Sequence, residues 1–491
     1  MRIGTLPWFP LQLAWCCLCL LTACKKAPSP SVSPEPAGKA EPEQVSPSQA
    51  QRQRLEWNLK TLTGAYESVG KTNAAWDGFA NSALNEFARG RARIRDLGEV
   101  WEYIIATNCN LAISAGCDDP MIRYLFARFP PGPTNPEPKA RVEAFLEAAT
   151  DLEQSGYPAL RKFYASFMTT SQIHEVYGYT NIPPRLQAFL SGNHIGAELA
   201  AALEDKAMPA EEAYEASSEL LARLVGDKER YATWYQPAER LLFENWPQAS
   251  TTWLLKGEAY VEMAWQARGG GYANSVSQEG WKLFGERLAV AQEALEKAWQ
   301  LNPHDHRIPT LMIRVEEGQG KGRERMELWF SRAMALNPNN EQACKYKLHY
   351  LYPQWYGSRE AMIAFGRECV ASTNWGGNVP LILCEAHWDY AALVKSEAER
   401  ADYWKRPDVW PDIRSAFERF FQLNPGAISW RHQYAWYAYR CEQWAELNSQ
   451  LTMLGYTNYE YFGGRTEFDK MARLAKEHAS AAKRNGSKGS S

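Results

Sequence analysis

The chain has 491 residues, of which 45% are hydrophobic and 23% charged, and its formal net charge at pH 7 is −3. This balance lacks the excess of basic residues that a nucleic-acid partner requires, so no nucleic acid is expected. The chain beyond residue 50 is too long for one ordinary core, which predicts either two helical lobes or one long solenoid.

The first segment along the chain is a predicted lipoprotein signal peptide at residues 1–23. Arg2 provides a positive start, and the apolar run that follows is too short to span a bilayer. The run ends in the letters LTAC, which resemble the lipobox of bacterial lipoproteins. The resemblance implies cleavage after Ala23 and acylation of Cys24. An ordinary secretory signal with an incidental cysteine is the alternative.

Residues 24–50 form a predicted lipid-anchored linker. Six prolines and few apolar residues keep this segment from folding, and a proline-rich spacer stays extended. Because Lys25 rather than aspartate follows the cysteine, the Gram-negative sorting rule favours the outer membrane. We therefore expect a cell-envelope protein, held at the membrane by its N-terminal lipid and facing the periplasm.

Residues 51–240 are predicted to form an N-terminal helical lobe, because their apolar residues recur at helical spacing. Asp118 and Asp119 precede Pro120, and this order favours a capped helix start over a pair of metal ligands. No 34-residue period is visible in the lobe. Degenerate repeats and a helical cap both remain open.

Six cysteines remain after Cys24, and an even number in an oxidising compartment permits disulfides. Cys109 and Cys117 bracket a short segment between two predicted helices and are the candidate disulfide. Two small buried residues are the alternative. No C-x-x-C follows Cys24, so zinc and thioredoxin-like chemistry have little support.

Residues 241–480 are predicted to be a repeat region of tetratricopeptide type, so the fold class is an all-α helical-repeat solenoid. The first helix of the central unit has the W-x3-G-x2-Y spacing, and the second alternates small and large residues before a proline. The residues concerned are Trp253, Gly257, Tyr260, Ala291, Leu295, Ala298 and Pro303. Small residues on one helix face allow a partner helix to approach closely.

The sequence Leu-Asn-Pro recurs at the ends of three amphipathic segments, with its prolines at Pro303, Pro338 and Pro425. Proline stops a helix and restricts the residue before it. The first two endings lie one repeat apart, and the longer second interval fits two repeats.

The central unit contains an insertion rich in glycine, where a plain repeat would have none. Three glycines allow unusual backbone conformations, and insertions in repeat proteins often lie on the binding face. The binding candidates are Arg268, Gly269, Gly270, Gly271, Tyr272 and Trp281. The alternative is a long surface loop, with Trp281 buried as an anchor of the second helix, and we expect both Trp281 and Trp375 to be buried between helices.

The region should end in a helix with a charged outer face, and residues 481–491 are predicted to be a disordered tail. Three stretches resemble the domain of unknown function 4034 family, a bacterial group with tetratricopeptide-like helices. They read ISAGCDDPMIRYLFARF, ARGGGYANSVSQEGWKLFGERL and QWYGSREAMIAFGREC. The resemblance would cover roughly residues 55–455. It implies no activity, so no catalytic residue follows from it.

Motifs for nucleotide phosphates and for an acyl nucleophile are absent, and no catalytic residue, metal or cofactor is predicted. His304-Asp305-His306 fits a polar turn better than a metal site, and His349 and His387 are isolated. The leading hypothesis is a scaffold that binds a protein or peptide. The alternative is a ligand-binding or glycan- or peptide-processing protein with an aromatic-lined pocket, in which Arg268, Tyr272, Trp281, Tyr356 and Trp375 would converge.

Overall fold

The computed structural model describes residues 48–94, 101–130, 137–192, 194–394, 396–454 and 457–488. Every regular element in these ranges is helical, which confirms the all-α prediction. The predicted signal peptide, Cys24 and almost the whole predicted linker lie outside the described residues. Among the described helices, none has the length and apolarity needed to cross a bilayer.

The chain divides into two compact units, one ending at Leu255 and the other beginning at Lys256. The division falls inside a helix, α12 (Ser250–Arg268), whereas the sequence-based boundary at residue 240 falls inside α11. The helices of the first unit are α1 (Gln49–Thr61), α2 (Thr63–Val69), α3 (Asp77–Arg91), α4 (Trp101–Ser114), α5 (Pro120–Arg128), α6 (Pro138–Gln154), α7 (Ala159–Tyr177), α8 (Pro184–Ser191), α9 (His194–Leu203), α10 (Ala210–Leu224) and α11 (Lys228–Asn245).

Helix α5 begins as the sequence predicts. The Asp119 carboxylate accepts hydrogen bonds from the backbone N–H groups of Met121 and Ile122, and Pro120 occupies the first turn. Asp119 also accepts a hydrogen bond from the Tyr157 hydroxyl and is fully buried. Its role is therefore that of a helix cap, which satisfies N–H groups that have no partner within the helix.

The first unit contains a buried ion network centred on Glu212. Arg54 and Asn58 of α1 donate to one carboxylate oxygen at 2.8 and 2.9 Å, and Arg91 of α3 donates to the other at 2.6 Å. Burial alone would raise the pKa of Glu212, but Arg91 and Arg54 outweigh it and lower the pKa to about 2. The network thus ties α1, α3 and α10 together through charges that compensate one another.

The second unit consists of helices that pack against their neighbours in the chain, as in a helical repeat. After α12 they are α13 (Gln278–Leu301), α14 (Arg307–Gln319), α15 (Arg323–Leu336), α16 (Glu341–Tyr350), α17 (Arg359–Ala371), α18 (Ile382–Ala392), α19 (Glu397–Trp404), α20 (Val409–Leu423), α21 (Arg431–Arg440), α22 (Trp444–Met453) and α23 (Arg465–Lys488). Helix α23 continues to Lys488, eight residues into the segment predicted to be a disordered tail, and the disorder itself remains a prediction.

The three Leu-Asn-Pro sequences end helices at the same point. Helices α13, α15 and α20 each stop at the leucine, and the next residue caps the helix with a non-helical backbone. Asn302 has φ −147° and ψ 91°, and Asn337 has φ −140° and ψ 96°. The extended backbone is what proline imposes on the residue before it. The longer interval before Asn424 contains five described α-helices, α16 to α20, and its division into two repeats remains a prediction.

Helices α12 and α13 approach closely where Gly257 faces Leu295. A Cβ atom on Gly257 would lie 2.4 Å from the Cγ atom of Leu295, so no larger residue fits without a shift. Ala291, Leu295 and Ala298 are all fully buried. The small-and-large spacing read from the sequence therefore marks a true helix contact.

Candidate binding surface

Helices α12, α14, α16 and α18 of the second unit place polar and aromatic side chains on one connected surface. Helix α14 packs against α16, and α16 packs against α18. We name it the first-helix surface, because each of these helices would be the first of a pair in the predicted repeat. It comprises Trp265, Arg314, Lys345, His349, Tyr352, Glu385, Trp388 and Asp389, with the buried Glu317 bonded to Arg314 and His349.

One end of the surface meets the predicted binding candidates at a cluster of three tryptophans around Arg268. The guanidinium carbon of Arg268 lies 4.9 Å from the ring centre of Trp355, 5.5 Å from that of Trp281 and 5.9 Å from that of Trp265. These distances fit cation–π attraction. Burial lowers the pKa of Arg268.

Arg268 also holds the glycine-rich insertion in place. Its Nη1 donates to the carbonyl oxygens of Gly269 at 3.0 Å and Gly271 at 3.1 Å. Gly269 has φ +74°, a value that favours glycine. A Cβ atom on Gly270 would meet nothing within 4 Å. Arg268 is therefore an internal anchor of the loop rather than a free cation.

Two predicted side chains of the insertion, Trp281 and Tyr272, are exposed. Trp281 is 39% exposed, so the prediction that it is buried between helices was wrong. Its ring centre lies 5.8 Å from that of Phe284, in an edge-to-face contact. Tyr272 is 78% exposed, so it does not join the tryptophan cluster.

Arg314 joins the tryptophan cluster to the polar part of the surface. Its guanidinium carbon stacks 3.9 Å from the ring centre of Trp265, and it donates to the buried carboxylate of Glu317. The other oxygen of Glu317 lies 2.5 Å from Nδ1 of His349. Arg314 also lies 3.2 Å from that nitrogen, so α14 and α16 are linked by three polar groups.

Two carboxyl groups of α18 continue the surface, one turn apart. Asp389 accepts a hydrogen bond from the Tyr352 hydroxyl, which alone would lower its pKa. Burial outweighs this bond and raises the pKa of Asp389 to about 6. Glu385 lies 3.8 Å from the Lys345 ammonium, which also pairs with Glu341. Burial raises the pKa of Glu385 to about 7, because Lys345 offsets it only in part.

An exposed tryptophan lies between these carboxyl groups in the sequence. Trp388 is 48% exposed, and its ring centre lies 5.4 Å from that of Trp436 in α21. Arg440 stacks 5.5 Å from the ring centre of Trp436. The aromatic character of the surface therefore extends from α12 to α21.

The remaining predicted aromatic residues separate. Tyr356 lies next to the tryptophan cluster and donates to the Glu317 carbonyl oxygen at 2.9 Å. Trp375 is half-buried against Phe330 and lines a different cleft of about 460 Å³, together with Lys347. The ligand-binding alternative requires these five residues to converge on one pocket, and they do not.

The other sequence candidates have structural surroundings of their own. Cys109 and Cys117 are buried free thiols, and a disulfide between them remains a prediction. Asp305 is bound by its neighbour Arg307, whose Nη2 lies 2.6 Å from a carboxylate oxygen. Within the described ranges, no group of three or more His, Cys, Asp or Glu side chains could hold a metal ion.

Sequence reasoning missed most of the first-helix surface. His349 reads as an isolated histidine, and Arg314 and Asp389 read as ordinary polar positions of amphipathic helices. The available signal was helical spacing. Each of these residues lies on a predicted first helix of a pair, one turn from another polar residue. Comparison with known proteins adds no assignment, because no family model and no curated protein matches this chain. The resemblance to the domain of unknown function 4034 family remains a prediction.

Proposed function

We propose that this protein is a lipid-anchored scaffold of the cell envelope. Its second unit, a tetratricopeptide-like repeat in this proposal, binds a protein or peptide with the first-helix surface. Repeat proteins present extended surfaces built from equivalent helices, and such surfaces suit elongated partners. The glycine-rich insertion, anchored by Arg268, borders this surface at the tryptophan cluster.

The observation that carries the proposal is an exposed tryptophan next to two partly buried carboxyl groups. Trp388 remains half-exposed, and burial raises the pKa values of Glu385 and Asp389 above their ordinary range. Such groups gain from a partner that covers the ring and supplies hydrogen-bond donors to the carboxyl groups.

The binding proposal is tested by crosslinking the full-length protein in cells, followed by affinity purification and mass spectrometry. Trp388→Ala is expected to reduce recovery of a defined protein partner at least tenfold, because interface tryptophans carry much of the binding energy. Tyr103→Ala, at an exposed aromatic residue of the first unit, is the matched control and should leave recovery unchanged. Equal loss in both variants, or in neither, would contradict the assignment of this surface.

Membrane attachment has a separate test. Cys24→Ala removes the acylated thiol, so the protein should move from the membrane fraction to the soluble fraction while partner binding in extracts persists. Unchanged fractionation would contradict the lipid anchor without affecting the proposed surface.

One observation favours the ligand-processing alternative. Glu385 and Asp389 lie one turn apart with pKa values raised to about 7 and about 6, and acid–base catalysis uses carboxyl groups tuned in this way. Incubation with envelope glycan fragments and peptides, analysed by mass spectrometry, tests it. Turnover abolished by Glu385→Gln would support catalysis, and the absence of turnover in the unaltered protein would remove this alternative.

A further inference from the structure

The cleft that Trp375 lines is bordered by α15, by the end of α17 and by the loop that follows α17. Its volume of about 460 Å³ is in the range of small-molecule sites. Half of its ten lining residues are polar and half are apolar, so a fitting ligand needs both polar groups and an apolar face. The polar residues of the lining are Glu327, Ser331, Lys347, Glu368 and Asn374.

One wall of the cleft is aromatic and is held in place by the backbone. The rings of Trp375 and Phe330 meet edge to face, with 5.7 Å between their centres. The N–H group after Trp375, that of Gly376, donates to the Pro338 carbonyl oxygen at 3.2 Å. A Cβ atom on Gly376 would lie 2.5 Å from the side-chain oxygen of Asn339, so the loop packs closely against the turn after α15. Trp375 is therefore positioned before a ligand binds, which reduces the entropic cost of binding.

The cleft also reaches a buried ammonium group. Lys347 is 4% exposed, and its Nζ atom donates to a carboxylate oxygen of Glu327 at 2.8 Å. The same atom lies 4.2 Å from the ring centre of Phe330 and 4.6 Å from that of Phe365. These contacts hold the ammonium at one position. Because an ammonium has three N–H donors, Lys347 can donate to a ligand while it remains paired with Glu327.

The charges of the lining favour a neutral ligand. Two carboxylates, Glu327 and Glu368, stand against the single ammonium of Lys347, so the formal charge of the lining is −1 and disfavours an anion. A cation would compete with Lys347 for Glu327, and at the exposed Glu368 an ion pair contributes little. A neutral ligand that both donates and accepts hydrogen bonds avoids these two costs.

We propose that this cleft binds a sugar ring. A sugar hydroxyl both donates and accepts hydrogen bonds, so it suits a lining that places an ammonium, carboxylates, a hydroxyl and an amide side by side. The C–H face of the ring packs on the indole of Trp375, which supplies a large apolar surface. The hydroxyl groups donate to Glu368, accept from Lys347, and exchange both kinds of hydrogen bond with Asn374.

The sugar site lies apart from the first-helix surface. Lys347 is two residues from both Lys345 and His349, and two residues correspond to roughly 200° around a helix, so Lys347 lies on the opposite side of α16. Trp375→Ala therefore leaves the proposed protein-binding surface unaltered. Failure of sugar binding would leave the scaffold proposal intact, and failure of partner recovery would leave the sugar site intact.

The test is saturation-transfer NMR and titration calorimetry of the purified full-length protein with maltotriose, cellotriose, chitotriose and the amine spermidine as probes. We expect at least one of the trisaccharides to bind. Trp375→Ala should weaken that binding about tenfold, because the ring loses its apolar contact. Glu368→Gln should weaken it about fivefold, because a charge-assisted hydrogen bond becomes a neutral one.

Glu360→Gln is the matched control, at an exposed position of α17 outside the cleft, and should bind the trisaccharide as tightly as the unaltered protein. Circular dichroism checks the fold of each variant, and Glu368→Gln decides the outcome alone if Trp375→Ala does not fold. The proposal would be overturned by the absence of binding of all three trisaccharides, or by binding that either folded variant leaves unchanged. Binding of spermidine and of no trisaccharide would also overturn it, because the cleft would then select a cation.

Discussion

The two units use ionised groups in opposite ways. In the first unit, Glu212 is fully buried and is held by Arg54 and Arg91, so its pKa falls to about 2. In the second unit, Glu385 and Asp389 are partly exposed, and burial raises their pKa values to about 7 and about 6. Charges that are fully compensated serve the fold, whereas charges left under-compensated at a surface can serve a partner.

Among the variants that test this comparison, Glu212→Ala should have the largest effect on stability. Removing the carboxylate leaves Arg54 and Arg91 buried without their main counter-charge, so the free energy of unfolding of the first unit should fall by about 3–5 kcal/mol. Urea denaturation followed by circular dichroism measures it. Glu229→Ala, at an exposed position of α11, should change stability by less than about 0.5 kcal/mol.

A smaller effect is expected from Gly257→Ala, which tests packing rather than charge. The added methyl group would lie 2.4 Å from Leu295, so the variant should lose about 1–3 kcal/mol of stability. Gly285→Ala in α13 is the matched control, because its added methyl group meets nothing within 4 Å. The control should gain about 0.5–1 kcal/mol, since alanine favours a helix over glycine. Equal effects would contradict the close approach of α12 to α13.

The pH dependence of the second unit sharpens the comparison further. Above about pH 4 the carboxyl groups of the unfolded chain are ionised, whereas Asp389 and Glu385 keep their protons to about pH 6 and 7 when folded. Folding therefore takes up protons, and stability falls as pH rises through this window. Asp389→Asn should be more stable than the unaltered protein at pH 8, by about 1 kcal/mol, and not at pH 4.5.

Asp412, in the same unit, should change stability with pH in the opposite direction to Asp389 and Glu385. Burial raises its pKa, but hydrogen bonds from His387 and Arg367 outweigh burial and lower it. Its ionised form therefore stabilises the fold, and that contribution is lost as pH falls through its folded pKa. Asp412→Asn should be less stable than the unaltered protein at pH 8. If Asp389→Asn and Asp412→Asn were both more stable than the unaltered protein at pH 8, the loss of negative charge, and not the individual pKa shifts, would determine the change in stability.

The smallest effects concern the insertion. Arg268→Ala removes the hydrogen bonds to Gly269 and Gly271, so limited proteolysis should cut this loop several times faster. Tyr272→Ala removes an exposed ring and should change stability by less than about 0.5 kcal/mol, without affecting loop cleavage. Faster cleavage in Tyr272→Ala would show that the tyrosine, and not Arg268, orders the loop.

Local features were predictable from the sequence where neighbouring residues determine them. The cap at Asp119 and the helix ends at Leu301, Leu336 and Leu423 depend on residues within one turn. The contact of Gly257 with Leu295 was indicated by spacing within two helices. Each needs only short-range information and a known helix geometry.

The candidate surface required information that the sequence does not display. The Glu317–His349 contact joins residues 32 positions apart on different helices. Trp355 reaches Arg268 from the loop after α16, and no local pattern indicates that pairing. Trp281 was assigned to the interior from its apolar character, but a tryptophan can bury one ring edge and leave the other in solvent.

The shared turn after α13 and α15 has a consequence for how such a chain can change length. Asn302 and Asn337 have nearly the same backbone angles, and each side-chain oxygen accepts a hydrogen bond from the N–H group two residues on. A deletion from one turn to the other would remove one whole helix pair and rejoin the chain through an unchanged junction.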